Sequence, residues 1–370
     1  MNGVTVDPEA RTMRVQGGAK FLEVFPVTQA HGLAPLSGSA PHVGVVGYTL
    51  GGGYGLMGRK YGLAVDSVCS VEMVLASGEI VTASATENPD LFWAVRGGGG
   101  AYGVITEIEM ALYPEGTVFG GATIYPAVDL EEILNAFTAW SKTMPDEVTS
   151  AIQIMNLPPA PFIPEPLRGQ CVVAVNACVC GGLENPEELV APIRNLGPAI
   201  MDMWGPIPYT ESGIIFNDPV DPMPAIARGL LLSDMDAEMV GNLMAGNGPA
   251  HQSPLTIIQL RHLGGQISRV DHAATAVGCR RDANYLIYTI AVPHPMAPPE
   301  AIHAHTTRMF EALDGHTVCP GPLNFLGEGT VEAKTIRELF TNGDYERLRE
   351  VKSAYDPENA FPYASLGLSE

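Results

Sequence analysis

The chain has 370 residues, 46% of them hydrophobic and 16% charged, which suits a globular protein with a large core and two domains. Its formal net charge of −21 argues against a nucleic-acid partner, because phosphate binding needs clustered lysine and arginine. No apolar run is long enough to cross a bilayer, and MNGVTVDPEARTM lacks a secretory signal, so we expect no membrane partner and a cytoplasmic location.

The first part of the chain alternates strands, short helices and glycine-rich segments. VTVDPEARTMRV predicts a hairpin around the turn at 7–9, and a short helix follows over 20–32. SVEMVLASGEIVTAS predicts two strands joined at Ser77-Gly78. A helix begins near Asn88, where Pro and Asp follow, and a strand is expected over 104–112.

After Gly116 the pattern changes to longer helices and buried strands. Leu130, Ile133, Leu134 and Phe137 recur at helical spacing and predict an amphipathic helix. Further strands are expected at Cys171–Cys180, Leu255–His262 and Tyr285–Val292, and further helices at 186–196, 299–313 and in the charged C-terminal stretch before Asp356-Pro357. The cysteines and histidines show no metal-site spacing, so no metal is expected.

Glycine is concentrated in two loops, 44–62 and 97–103. Residues 53–58 match the GxGxxG pattern of nicotinamide-binding domains, but RKYGLAVD, which follows, is unfavourable for a helix, so that interpretation is weak. Glycine-rich loops also bring main-chain N–H groups close to a flat or phosphate-bearing ligand. A set of tight turns in an α+β core is the alternative.

Several long motifs resemble one family. PLSGSAPHVGVVGYTLGGGYGLMGRKYGLAVDSV, VLASGEIVTAS and NPDLFWAVRGGGGAYGVITEIEMAL are similar to the FAD-binding domain of the vanillyl-alcohol oxidase/p-cresol methylhydroxylase superfamily, and most similar to berberine-bridge-enzyme-like oxidoreductases. RHLGGQISRV, NFLGE and YERLREVKSAYDPENAF resemble later segments of that group. The resemblance implies an α+β fold: a PCMH-type FAD-binding domain at 1–115 and 328–370, and a substrate domain at 116–327 with an antiparallel sheet flanked by helices.

The resemblance also implies which residues contact FAD. The residues that match the loop around the flavin are Gly38, Ser39, Ala40, Val43, Gly44, Gly47, Tyr48, Gly52, Gly53 and Gly55. The residues that match the pyrophosphate and adenine side are Gly62, Leu63, Gly103, Val104 and Ile105.

The chain departs from the family pattern in places. Ala40 stands where the family has a cysteine that can bond the flavin, so any bound FAD is expected to be non-covalent. Tyr48 replaces a common histidine, Pro322 replaces a tyrosine, and the family's C-terminal polar residues are replaced by Pro362, Tyr363 and Ala364.

The family's N-terminal subdomain, whose Arg-x-Gly-Gly-His loop binds the pyrophosphate, has no counterpart before the first hairpin. We therefore expect this chain, as given, to bind FAD weakly or not at all, and a longer form to bind it well.

Four residues are candidates for catalysis. Gln259 occupies the position of the family's glutamate base but cannot accept a proton at neutral pH. Arg261 would share a strand face with Gln259 and could bind an anionic substrate or stabilise reduced flavin, whereas His262 would point away. Asn324 is expected to hold a loop or contact the flavin, and Tyr48 is a pocket candidate.

The prediction is an FAD-dependent oxidoreductase, either an oxidase or a dehydrogenase. It would remove a hydride from a C–H beside a hydroxyl or amine of a small molecule and pass electrons to oxygen or another acceptor. The alternative is a non-catalytic or truncated remnant that binds FAD poorly. The sequence leaves the substrate and the oligomeric state open.

Overall fold

The computed structural model describes residues 1–221, 223–277, 281–327, 333–340 and 343–362. Within those ranges the strands form two antiparallel sheets. The strands are β1 (Val4–Asp7), β2 (Thr12–Gln16), β3 (Val68–Val74), β4 (Ile80–Ser84), β5 (Val104–Ala111), β6 (Thr117–Pro126), β7 (Val148–Asn156), β8 (Cys171–Val179), β9 (Met201–Pro208), β10 (Ile226–Leu232), β11 (Ile257–His262), β12 (Tyr285–Ala291) and β13 (Thr317–Pro320). The helices are α1 (Phe21–Gln29), α2 (Val45–Leu50), α3 (Gly58–Tyr61), α4 (Pro89–Val95), α5 (Leu130–Ser141), α6 (Pro186–Arg194), α7 (Ala237–Asn247), α8 (Gln266–Arg269), α9 (Pro299–Glu311), α10 (Ala333–Leu339) and α11 (Asp344–Tyr355).

The first sheet has the strand order β1-β2-β5-β3-β4. Side chains alternate along its strands, so Met13, Val15 and Ile108 are fully buried on one face. The other face is polar: Arg14 bridges Glu107 and Glu109 there, at 3.2 and 2.9 Å. One face of this sheet therefore packs on the core and the other is exposed.

The second sheet has the strand order β13-β10-β12-β11-β7-β8-β6-β9. Helices α5, α6, α7 and α9 bury their apolar sides on one of its faces, as Phe137 and Leu243 do against Ile152 and Leu260. The opposite face is turned toward the glycine-rich segment and carries Gln259, Arg261 and, one strand away, Tyr288. The helices thus leave one face of the sheet free to form a site.

A buried ion pair and several hydrogen bonds connect the layer of the first sheet to the layer of the second. Asp66, just before β3, accepts two hydrogen bonds from Arg281, which precedes β12, at 2.7 and 3.0 Å. Arg96, after α4, donates to the carbonyl of Ala274 at 2.6 Å, and Ala276 donates back to the carbonyl of Arg96. These contacts fix the second sheet relative to the first.

Helix α11 returns to the first layer and holds the second glycine loop. The buried Lys352 ammonium donates to the carbonyl of Ala101, within that loop, and to the carbonyl of Phe361, both at 2.8 Å. Asp356 accepts a third hydrogen bond from it at 2.5 Å. The C-terminal segment therefore completes the layer that begins with β1.

The fold prediction is confirmed: an antiparallel sheet flanked by helices follows the hairpin and strands of the first layer. Two details are wrong. Strands β6, β7, β9, β10 and β13 were not predicted; β7, for example, is buried on both faces and so shows no polar alternation. The segment RKYGLAVD begins in helix α3, and α2 lies inside the glycine loop, because tertiary contacts override weak local propensity.

Within the described residues no helix has both the length and the apolar composition needed to cross a membrane.

Candidate active site

A cleft opens between the glycine-rich segment and the polar face of the second sheet. Its volume is about 450 Å³, and it adjoins a cavity of about 320 Å³ that shares Gly47 and Asn324 with it. The cleft is lined by Gly38, Ser39, Ala40, Val43, Gly47, Tyr48, Tyr54, Arg261, Tyr288, Asn324 and Phe325. The adjoining cavity is lined by Gly47, Leu50, Gly51, Gly99, Gly100, Leu323 and Asn324.

A larger surface depression, of about 910 Å³, lies elsewhere, beside the start of α5 and the end of α7. Its polar lining includes Asp129, Glu131 and Glu132, and it contains none of the residues that the sequence motifs select. Within the described residues, no group of three or more His, Cys, Asp and Glu side chains could hold a metal ion. The cleft is therefore the candidate site.

Asn324 fixes the shape of the glycine-rich segment. Its Oδ1 accepts from the Gly53 N–H at 2.9 Å, and its Nδ2 donates to the Tyr48 carbonyl at 3.0 Å. Gly53 has φ +79°, and a Cβ there would lie 2.5 Å from the Cβ of Ala64. The loop thus needs glycine at this position, and Asn324 has the loop-holding contacts that the sequence predicts.

Gly47, on helix α2, faces the cleft itself. A Cβ on Gly47 would meet no atom within 4 Å, so the helix offers bare backbone to the cavity. Gly44 is the N-cap of the same helix. Gly52 and Gly55 lie behind that surface, where an added Cβ would contact protein atoms. The flavin-loop residues thus divide into some that line the cleft and others that shape the loop.

Residues 38–40 line the cleft, and their main-chain donors are unused by the part of the chain that the structure describes. Within the described residues, the N–H groups of Gly38, Ser39 and Ala40 have no hydrogen-bond acceptor. The segment is nevertheless fixed, since the hydroxyl of Tyr209 donates to the carbonyl of Pro35 at 2.8 Å. A ligand that offers oxygen or nitrogen acceptors would satisfy these amides.

Arg261 and Gln259 share the face of β11 that borders the cleft, as the strand period predicts. Arg261 Nε donates to Gln259 Oε1 at 2.5 Å. Its two terminal nitrogens make long contacts, 3.4 Å to the Tyr54 carbonyl and 3.5 Å to Ser39 Oγ. Burial lowers the pKa of Arg261, and the nearby carboxylate of Asp218 opposes that shift. His262 lies on the other face, stacked on Tyr285.

Aromatic rings that sequence reasoning missed surround the guanidinium group. The rings of Phe216 and Phe325 are centred 5.3 Å from the Arg261 guanidinium carbon. Tyr288 stands opposite Gln259 in the β11–β12 register and lines the cleft. Burial raises the pKa of the Tyr288 hydroxyl. Phe325 could have been found, because it follows Asn324 directly in the recognised motif.

A carboxylate lies one hydrogen bond behind the cleft wall. Ser39 Oγ donates to Asp218 Oδ2 at 2.6 Å, and Ser39 itself lines the cleft. Sequence reasoning missed Asp218, because it stands in a loop without a recognisable motif, far along the chain from Ser39.

Tyr48 lines the cleft with its ring, but its hydroxyl is buried and has no partner within the described residues. Burial raises the pKa of this hydroxyl. A Cβ on Gly55 would lie 2.9 Å from it, so the hydroxyl points into the loop. The geometry therefore favours a packing role for Tyr48 over proton transfer.

The residues predicted for the pyrophosphate and adenine side of FAD do not line the cleft. Gly62, with φ +95°, lies over the carboxylate of Asp66, which accepts from the Leu63 N–H at 2.8 Å. Gly103 packs against the carbonyl of Val74, and Val104 and Ile105 form the start of β5. Their role in cofactor binding stays a prediction.

The residues that line the cleft suit FAD in their backbone exposure and donor chemistry. Bare glycine backbone at Gly47 admits a flat ring system close to helix α2, and the partnerless amides of 38–40 suit the ring's oxygen and nitrogen acceptors. The adjoining cavity continues along both glycine loops, at Gly51 and at Gly99–Gly100. Both loops thus line the two adjoining cavities.

Two family models match parts of this chain: "FAD binding domain" over residues 1–84, and "Berberine and berberine like" over residues 331–365. The chain is thus similar to berberine-bridge-enzyme-like FAD-linked oxidoreductases at both ends of its sequence. An FAD-linked oxidoreductase of Bacillus subtilis, YgaK, is 27% identical over 98% of this chain and 78% of its own length. The (R)-6-hydroxynicotine oxidase of Paenarthrobacter nicotinovorans is 29% identical over the same shares.

A solved structure shows that the similarity includes the three-dimensional fold. The crystal structure of 6-hydroxy-D-nicotine oxidase from Arthrobacter nicotinovorans superposes with a TM-score of 0.81 at 25% identity, over 97% of this chain and 79% of that one. Together these matches show that the chain is an FAD-dependent oxidoreductase and that FAD is its cofactor.

Proposed function

We propose that this chain takes a hydride from a C–H bond beside a hydroxyl or amine of a small molecule, and that oxygen or another acceptor reoxidises the enzyme. One observation carries the proposal: the glycine-lined groove meets a cluster of polar side chains at Asn324 and Gly47, so a flavin edge and a substrate can adjoin there. A remnant without activity is disfavoured, because the polar cluster and the loop contacts are both present.

When bound, FAD supplies the redox chemistry by accepting the hydride. The amides of 38–40 and the backbone at Gly47 would hold the ring system, and Asn324 keeps the loop in the shape that exposes them. Tyr54 and Phe325 add aromatic rings to the wall of the cleft.

The substrate proton needs an acceptor, since Gln259 cannot take one. Ser39 Oγ lies in the cleft wall and donates to Asp218 at 2.6 Å, so a substrate hydroxyl or amine at Ser39 could pass its proton to Asp218 through that bond. Tyr288, whose pKa burial raises, stays protonated at neutral pH and would donate to the substrate oxygen or nitrogen.

The proposal is tested by purifying the protein, recording its flavin absorption, and adding sugars, alcohols and secondary amines without oxygen. We expect flavin absorption, in the purified protein or after incubation with FAD, that bleaches with at least one of these compounds and returns when oxygen or a dye is admitted. Protein without flavin even after incubation with FAD, or flavin that no compound bleaches, would count against it.

The proposed proton route has its own control. Asp218→Asn should slow flavin bleaching at least tenfold without changing flavin content, whereas Asp221→Asn, in the same loop and exposed, should leave the rate unchanged. Equal rates in the two variants would remove Asp218 from the mechanism.

The attachment of FAD is also testable, and we propose that it is non-covalent. Ala40 lines the cleft where the family's cysteine would stand, and its methyl group cannot form the bond. Acid precipitation should release the flavin into the supernatant; flavin retained in the pellet would contradict this.

A further inference from the structure

Arg261 has more hydrogen-bonding capacity than the protein around it uses. A guanidinium group has five N–H donors. Arg261 makes one short hydrogen bond, to Gln259, and two contacts of 3.4 and 3.5 Å. No carboxylate of the described residues forms an ion pair with it. A cation partly removed from water and left short of acceptors is unfavourable, unless a ligand supplies them.

The position of Arg261 favours a ligand in the cleft. Among the cleft-lining residues of the described ranges, Arg261 alone carries a charge, in a chain whose net charge is −21. The neighbouring rings of Phe216 and Phe325 hold the guanidinium by cation–π contacts. The group is therefore oriented before any ligand arrives.

The neighbouring groups limit the kind of ligand. Asp218 is near enough to affect the pKa of Arg261 but lies behind Ser39 and accepts the hydrogen bond of that hydroxyl. Gln259 Oε1 is already occupied by Arg261 Nε. The free edge of the guanidinium therefore suits a ligand with two oxygen acceptors, and a carboxylate matches the planar fork of an arginine.

Two sources could offer such acceptors: a carboxylate on the substrate, or the oxygen and nitrogen edge of reduced flavin. Within the larger cavity, Arg261 belongs to the wall formed by the second sheet, whereas the amides of 38–40 and the backbone of Gly47, which would hold the flavin ring, belong to the wall formed by the glycine-rich segment. The adjoining glycine-lined cavity contains no charged residue among its described lining. The position of Arg261 on the sheet wall favours the substrate.

Resting on the proposed function, we infer that the substrate is an organic acid whose carboxylate binds Arg261, close to the hydroxyl or amine that is oxidised. The tyrosine hydroxyl of Tyr288 stands one strand away on the same face, where it can contact the group beside the carboxylate.

The test compares benzoate with benzamide, its neutral analogue of similar shape, by isothermal titration calorimetry on the purified full chain. We expect benzoate to bind at least tenfold more tightly than benzamide. Arg261→Met should abolish that preference, and Arg261→Lys should retain part of it. Arg228→Met is the control, because Arg228 lies in the same sheet over Phe310, on the helix-covered side, and should leave the preference intact.

Absorbance of the same samples reports flavin content, so loss of the proposed function is distinguishable from loss of the anion site. Equal binding of benzoate and benzamide, or a preference that survives in Arg261→Met, would overturn the inference. If Arg261 serves the flavin, Arg261→Met should shift the flavin reduction potential and leave the preference intact, which also overturns it.

Discussion

Two partly or fully buried arginines, Arg59 on α3 and Arg261 on β11, lie where the glycine-rich segment meets the second sheet, and they differ in their partners. Arg59, on α3, donates through Nε to the Val148 carbonyl at 2.8 Å and through Nη2 to the Met144 carbonyl at 3.1 Å. Its Nη1 contacts the Leu263 carbonyl and His262 Nε2. Every nitrogen of this guanidinium thus donates to an acceptor on or beside the strands of the second sheet.

Arg261 has one short partner and an edge open to the cleft. The comparison teaches how a structural cation differs from a binding one. When all donors meet backbone carbonyls, the residue joins two elements and has nothing left for a ligand. When donors remain unused beside a cavity, the residue contributes little to stability and is available for recognition.

The largest effect is expected at Arg59. Arg59→Met would leave three buried carbonyls without their donor, at about 1–3 kcal/mol each, so the free energy of unfolding should fall by about 3–5 kcal/mol. Urea denaturation followed by tryptophan fluorescence measures it. Arg14→Met, whose side chain is 56% exposed, is the control and should cost less than about 1 kcal/mol. Similar losses in both variants would contradict the structural role of Arg59.

The glycine loop should respond next most strongly. Gly53→Val combines a positive φ with a clash against Ala64, which should cost about 2–4 kcal/mol and abolish FAD binding. Gly47→Ala fills open space, so it should keep the fold while weakening FAD binding. Flavin content and melting temperature of the two proteins separate these outcomes. A Gly53→Val protein with unchanged flavin content would show that the loop is only a turn.

The stability of the protein should depend on pH, because Arg59 hydrogen-bonds to His262. Burial, with Arg59 adding to it, lowers the pKa of His262 to about 3. Arg59 can only donate, so His262 Nε2 accepts and the folded protein keeps this histidine neutral. The unfolded chain protonates it below about pH 6.5, so the unfolded state binds more protons between pH 6.5 and 3, and stability falls as the pH falls.

From pH 6.5 to pH 5 this loss should be about 2 kcal/mol, at about 1.4 kcal/mol per pH unit. Urea denaturation across this range, compared with His262→Gln, isolates the histidine from the carboxylates. Glutamine can still accept from Arg59 without titrating, so the variant should have the shallower pH dependence. Equal slopes would show that His262 is not held neutral.

The smallest change in stability is expected at Arg261. Because this guanidinium has no ion-pair partner among the described residues, Arg261→Met should alter the free energy of unfolding by less than about 1 kcal/mol. Denaturation beside Arg59→Met makes the comparison direct. A decrease in the free energy of unfolding as large as that of Arg59→Met would mean that Arg261 also holds two elements of the fold together.

The sequence by itself identified an FAD-binding domain in its first part, the antiparallel sheet flanked by helices that follows it, and the shared strand face of Gln259 and Arg261. These rest on long local motifs and on the period of a strand, which neighbouring residues determine. Asn324 was also expected to hold a loop, and its two hydrogen bonds to the glycine segment have that geometry.

Only the tertiary structure placed Tyr288, Phe216 and Asp218 around Arg261, because that depends on strand register and on loops far apart in the chain. It also kept Gly62 and Gly103 away from the cleft, where glycine instead allows close packing on Asp66 and Val74. A glycine looks the same in the sequence whether a ligand or the protein's own backbone approaches it, and only the fold decides which of them does.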